Sequence, residues 1–173
     1  EAESEKLNSF EVLSTASVSS VINRYLTNYI EDKYEAGGEL IRRGARQPKG
    51  QWEVRNLLLG SDQRRADARE NKPMLGDLLG DVLMCELTHK HVTEAIQVIC
   101  DRGSTVSAGN VLREFTNAVD YSIGELLPDD FVNPCYQAKS AFKRRKINLS
   151  SKPRTRVLSD TELSLLLRWL PAS

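Results

Sequence analysis

Apolar residues recur at helical spacing along most of the chain, and this periodicity constrains the fold more than any other feature. The clearest stripe lies near the start and consists of Val18, Val21, Ile22, Tyr25, Leu26, Tyr29 and Ile30. Residues at i, i+3, i+4 and i+7 share one face of a helix, which needs a partner surface to cover it. Thr15 or Ser17 can cap this helix. We therefore expect an all-α fold, a small bundle of four to five helices.

Two more helices are predicted between residues 88 and 124. Thr88 is a candidate N-cap and Gly103 a candidate C′ residue for the helix 88–102. The helix 105–123 closes at Gly124, and its apolar stripe is Val111, Leu112, Phe115, Ala118, Val119 and Ser122. Asn133-Pro134 then starts a short helix or a turn.

The remaining segments are less regular. Residues 39–59 are predicted to form one or two helices broken near Gln47-Pro48, with Trp52, Leu57 and Leu58 in the core. The polar start of residues 60–87 indicates a loop or an exposed helix. Its second half, MLGDLLGDVLMCELT, indicates an irregular connector that packs its leucines.

Charge is strongly segregated although the formal net charge is zero. Residues 42–69 carry eight basic and three acidic residues, and residues 139–156 carry eight basic and no acidic residues. Acidic stretches alternate with these two basic blocks. Because only local charge matters within a Debye length of about 10 Å, a neutral total can hide a strongly basic face.

A new helix starts after the second basic block. Ser159 and Glu162 have capping-box spacing, and one face carries Leu163, Leu166, Leu167 and Leu170. This order suggests four parts. They are a disordered or truncated segment 1–13, a helical domain 14–138, a basic linker 139–158, and a helix 159–173 that opens a second, missing domain.

Several motifs appear in an order that resembles the core-binding region of phage-type tyrosine recombinases (integrases). These are Arg24-Tyr25-Leu26 in the first helix, the connector LGDLLGDVLMCELTHKHV, the helix SAGNVLREFTNAVDYSIG, the turn FVNPCYQAK, and the segment RTRVLSDTELSLLLRWLP. The similarity spans residues 14–170. Two features differ from the family pattern: the long, basic segment 42–72, and Cys135 where a small residue is usual.

The resemblance implies a SAM-like core-binding domain that clamps one face of a DNA attachment-site core. The family's catalytic residues lie beyond the RVLSDTEL helix, so we expect this chain to bind DNA without cutting it. Expected partners are double-stranded DNA and other recombinase protomers, with no cofactor, metal, small-molecule substrate or membrane. The implied location is the bacterial cytoplasm, at the nucleoid when bound.

Candidate DNA contacts fall in three groups. Helix starts favour phosphate, and in the major groove Asn suits adenine and Arg suits guanine. Basic linkers position a protein along the phosphate backbone. The candidates are, near the second helix start, Arg43, Arg46, Lys49, Gln51 and Arg55; at the starts and outer faces of the helices 88–102 and 105–123, Lys90, Ser104, Thr105, Ser107, Asn110 and Arg113; and in the linker, Lys139, Lys143, Arg144, Arg145, Lys152, Arg154 and Arg156.

An alternative is a helical protein-interaction module without a nucleic-acid role, in which the leucine face at 163–170 binds a partner. The position of the basic residues discriminates between the two. A surface shared with Ser107, Asn110 and Arg113 favours DNA, whereas pairing with acids at 77–101 favours the module. Catalysis has little support, because His89 and His91 point to different sides of a helix.

Overall fold

The computed structural model describes residues 15–60, 72–150 and 159–169, and these are mostly helical. The chain begins with α1 (Val18–Tyr25), which continues into a π-helical turn (Leu26–Ile30). A hairpin of β1 (Lys33–Tyr34) and β2 (Leu40–Arg42) follows. The later helices are α2 (Pro48–Leu58), α3 (Leu75–Leu79), α4 (His89–Asp101), α5 (Thr105–Ser122), α6 (Pro134–Arg144) and α7 (Asp160–Trp169).

Helix α5 is the central element, because α1, α2, α4 and α6 all pack against it. Its predicted stripe is buried, from Val111 through Phe115 to Ser122. The predicted stripe of α1 is also buried, except that Tyr29 is 45% exposed. Helix α6 buries Cys135, Ala138 and Phe142 against the same core. The all-α prediction is confirmed in its coarse form, a mostly helical fold, whereas the described residues form seven α-helices and one hairpin in place of the predicted four to five helices.

Local signals set most helix ends where the sequence predicts them. The hydroxyls of Ser17 and Thr88 accept bonds from Ser20 N and His91 N and cap α1 and α4. Gly103 and Gly124 have φ of +80° and +83° just after α4 and α5. The capping box of α7 also forms, since Ser159 N donates to Glu162 Oε2 at 3.0 Å and Glu162 N donates to Ser159 Oγ at 3.3 Å.

The irregular connector covers the N-terminus of α1. Val82 O and Gly80 O accept hydrogen bonds from Val18 N and Ser19 N, at 2.9 and 3.0 Å. These backbone donors have no partner within their own helix. A Cβ on Gly80 would collide with Ser19 Oγ and with the Gly76 carbonyl, so the close approach requires glycine. The connector buries Leu75, Leu79, Met84 and Leu87, as predicted.

The segment 39–59 departs from its predicted helical structure. Residues 40–42 pair antiparallel with residues 33–34, and a regular helix starts only at Pro48. Trp52, predicted in the core, is 65% exposed, whereas Leu58 is fully buried. The hairpin is anchored by Arg42, whose guanidinium donates to the carbonyls of Thr27 and Asn28 in the π-helical turn. Its strands expose Tyr34, Leu40 and Ile41, so no buried face marks them in the sequence.

The residues just after position 138, where the sequence predicts the linker to begin, continue a helix. Residues 139–144 belong to α6, and Ile147 and Leu149 pack against the core beyond it. Leu149 lies against Gly109, where a Cβ would collide with the Leu149 carbonyl. We call residues 147–150 the strap. The sequence prediction missed it because its two apolar residues stand among many basic ones. The predicted segment 1–13 lies outside the described residues.

Candidate nucleic-acid interface

The first half of α5 lines a shallow groove of about 350 Å³, which we call the α5 groove. Asn110 and Arg113 come from α5, Lys139 from α6, and Leu149 and Ser150 from the strap. Two of the predicted α5 contacts thus share a surface with a residue of the second basic block. Lys139 Nζ also lies 5.3 Å from the centre of the Tyr136 ring, a cation–π distance.

A buried carboxylate connects this groove to the first basic block. Glu114 is 1% exposed, and its Oε1 accepts bonds from Arg113 Nε and Nη2 at 3.3 and 3.2 Å. Arg46 Nη2 donates to the same oxygen at 3.3 Å. We call Arg46 and Arg113 the arginine pair. It brings together predicted contacts that are distant in sequence.

Tyr25 completes the environment of Glu114. Its hydroxyl donates to Glu114 Oε2 at 3.3 Å, so both carboxylate oxygens are bonded. Burial raises the pKa of the Tyr25 phenol from 10.0 to about 12, and the Glu114 carboxylate adds to the rise. Neither residue is predicted from the sequence as part of the site. A signal existed, because Glu114 is i+3 from Val111 and i−4 from Ala118 and therefore lies on the apolar face.

The other predicted contacts near α2 have structural partners. Arg55 Nε and Nη2 donate to the two oxygens of Glu31 at 2.6 and 2.9 Å. Gln51 accepts a bond from Asp32 N and donates to Arg46 O. Lys49 Nζ lies 3.9 Å from Glu53, with its side chain 89% exposed, and Arg43 is exposed. These partners lie outside the acidic stretch 77–101.

The start of α5 is more weakly organised than the sequence suggests. Ser104 is the N-cap residue, but its side chain makes no capping bond. Thr105 is exposed and Ser107 is half-buried.

A second groove, of about 550 Å³, lies between α4 and α6. We call it the α4–α6 groove; its basic lining residues are His89, Lys90, Arg144 and Arg145, and it also contains Glu94. Lys143 is exposed on α6 nearby in sequence. We call Lys143, Arg144 and Arg145 the basic end of α6. Lys152, Arg154 and Arg156 lie outside the described residues.

Residues 15–60, 72–150 and 159–169 give little support for a metal site or for a nucleophilic thiol. They contain no group of three or more His, Cys, Asp or Glu side chains that could hold a metal ion. Cys100 and Cys135 are buried free thiols, and burial raises the pKa of the Cys135 thiol to about 12. A thiol with such a pKa is a poor nucleophile at neutral pH. Within the same ranges, no helix has the length and apolar character needed to cross a membrane.

No protein-family model matches this chain, and no curated protein or solved structure shows a significant match to it.

Proposed function

We propose that this chain binds double-stranded DNA, in the manner of the SAM-like core-binding region of a phage-type integrase, and clamps one face of an attachment-site core. One observation carries the proposal: Asn110, Arg113 and Lys139 line one groove, and Arg46 meets Arg113 at the shared carboxylate of Glu114. These residues come from both basic blocks and from the helix between them. Convergence of this kind is typical of an electrostatic footprint for a polyanion.

The chemistry of the α5 groove suits recognition as well as attraction. Asn110 has an amide that can pair with adenine, and Arg113 has a guanidinium that can pair with guanine in the major groove. Lys139 supplies a point charge for a phosphate. The basic end of α6 and Lys90 supply further phosphate contacts from the α4–α6 groove, which position the protein without reading sequence.

A second candidate function rests on α7. Leu163, Leu165, Leu167 and Trp169 are 44 to 81% exposed, which is a large apolar surface for a ten-residue helix. Leu163 and Leu167 are one turn apart and form an apolar face that can dock into an apolar groove of a partner protein, while Leu165 and Trp169 lie on another side of the helix. This reading makes the chain an interaction module, with the arginines as a solvated surface.

The experiment that tests the first proposal starts from a pool of duplexes with about 20 random base pairs. The pool is enriched by binding to the full chain, and the selected duplex is then compared with a scrambled one over a salt series. We expect preference for the selected duplex and an affinity that falls steeply with salt, because each phosphate contact releases counterions.

Arg24→Gln is the matched control for Arg113→Gln. Arg24 is also paired with a glutamate, Glu125 at 2.6 Å, but it takes no part in the α5 groove. Arg113→Gln should reduce the preference for the selected duplex by about 10-fold or more, and Arg24→Gln should leave it unchanged. Absence of binding at low salt would refute the DNA proposal. In that case the second candidate function is tested next, by searching for a protein that binds α7.

A further inference from the structure

Glu114 is an unexpected residue at its position. It stands in the buried face of the central helix, and its side chain is 2% exposed. Burying a carboxylate costs free energy that its ion pairs often only balance, and an apolar residue of similar size is frequently no less stable. Stability alone is therefore a weak reason for a glutamate here. The geometry of its partners suggests another reason.

Both arginines remain largely available while they bind Glu114. Their side chains are 48% and 58% exposed for Arg46 and Arg113. A guanidinium has five N–H donors, and the bonds to Glu114 use two nitrogens of Arg113 and one of Arg46. Two positive charges also share a single negative one, so the site keeps a net positive charge. Glu114 thus fixes the arginine pair without neutralising it.

We propose that Glu114 is a positioning residue for DNA recognition, which holds the guanidinium groups of Arg46 and Arg113 side by side at the edge of the α5 groove. The inference rests on the proposed DNA-binding function. A free arginine loses rotamer freedom when it binds, whereas one already held in place loses less. We therefore expect Glu114 to raise the preference for the selected duplex. Because it also compensates part of the positive charge, we expect it to lower the affinity for DNA of any sequence.

The inference therefore predicts two opposite changes in Glu114→Gln, one in the affinity for any duplex and one in the preference for the selected duplex. The variant keeps the size of the side chain and removes its charge, so that both guanidiniums gain freedom and full charge. We expect tighter binding to the scrambled duplex at low salt, with a steeper salt dependence. We also expect the preference for the selected duplex to fall by about 10-fold, because the arginines are no longer fixed. A purely structural role would instead weaken binding to both duplexes.

A second measurement follows the arginines directly in the full chain without DNA. NMR relaxation of the Arg46 and Arg113 Nε–H groups should give order parameters near the rigid value of ~0.85 in the wild type, falling below ~0.6 in Glu114→Gln. Glu125→Gln, which releases Arg24 from its ion pair away from the α5 groove, is the matched control. It should change neither the duplex preference nor the two order parameters.

The outcomes separate this inference from the function on which it rests. If the wild type binds no duplex, the proposed function fails and the role of Glu114 fails with it. If the wild type prefers the selected duplex and Glu114→Gln keeps that preference, only the inference is overturned. Equal mobility of the two arginines in the wild type and the variant overturns it as well.

Discussion

The two basic regions of this molecule look alike in the sequence and differ in the structure. The arginine pair is tied to a buried carboxylate that also binds Tyr25. In the described part of the chain, the basic end of α6 has no ion-pair partner at all. The first region has defined geometry and a partly compensated charge, while the side chains of the second are exposed and have no such anchor among the described residues. Charge density in a sequence therefore does not reveal which cations are held by a carboxylate and which are not.

Among the variants that test this comparison, Glu114→Ala should cause the largest loss in the free energy of unfolding. Glu114→Ala leaves a cavity in the buried face of α5 and removes an acceptor of the Tyr25 hydroxyl, so we expect a loss of about 3 kcal/mol in the free energy of unfolding. Glu125→Ala, which breaks the exposed pair with Arg24, should cost less than about 1 kcal/mol. Urea unfolding of both variants measures the difference. Equal losses would mean that Glu114 is not the anchor of its region.

The next effect concerns α6 itself, which is fixed at its start and exposed at its basic end. Asn133 is buried, donates to Thr116 O and Asp120 Oδ1 at 3.1 and 2.8 Å, and accepts from Cys135 N at 2.9 Å. Asn133→Ala removes the helix cap and two buried bonds, so it should cost about 2 kcal/mol. Gln137→Ala, at an exposed position of the same helix, should stay within about 0.5 kcal/mol. Similar losses in the two variants would contradict the role of Asn133.

A smaller, pH-dependent effect should come from Tyr25, which binds the same carboxylate as the arginine pair. The folded-state pKa of Tyr25 is about 12 against an ordinary 10.0, so its contribution is complete below pH 10 and is lost as the pH rises through 12. Between these values the wild type should lose about 1 kcal/mol more stability than Tyr25→Phe. The buried Cys135 thiol titrates in both proteins, so the difference isolates Tyr25. If Tyr25 ionises near pH 10, as seen by tyrosinate absorbance, its pKa is not raised in the folded protein and the prediction is wrong.

The smallest effect tests whether the strap supports the α5 groove. Gly50→Ala in α2 meets only ordinary contacts with Arg46, so it should stabilise the protein by about 0.5–1 kcal/mol through helix propensity. Gly109→Ala gains the same propensity but forces the Leu149 carbonyl away, so its net change should be close to zero or unfavourable. Hydrogen exchange of residues 143–150 should accelerate in Gly109→Ala and not in Gly50→Ala. Unchanged exchange would mean that the strap does not depend on this contact.

The sequence predicted what depends on periodicity. The stripes of α1 and α5 and the N-caps of α1 and α4 follow local rules, and these three helices form where expected. The hairpin escaped prediction because its strands bury no face, and the strap because Ile147 and Leu149 are isolated among basic residues.

The groove residues of the candidate site could be proposed from the sequence, whereas the roles of its buried members Glu114 and Tyr25 and the contacts between its residues could not. Asn110, Arg113 and Lys139 follow from residue type and helix position. The arginine pair cannot be predicted in this way, because Arg46 and Glu114 are 68 residues apart and meet only after α2 has packed against α5. Such contacts depend on tertiary arrangement, which single-sequence patterns do not specify.

The strap makes one part of the α5 groove continuous in sequence with α6. Leu149 and Ser150 line the groove together with Lys139 of α6. The groove that holds Asn110 and Arg113 of α5 is therefore completed by a single stretch of chain, from Lys139 to Ser150. Gly109 sets how closely this stretch approaches α5, because a Cβ there would collide with the Leu149 carbonyl.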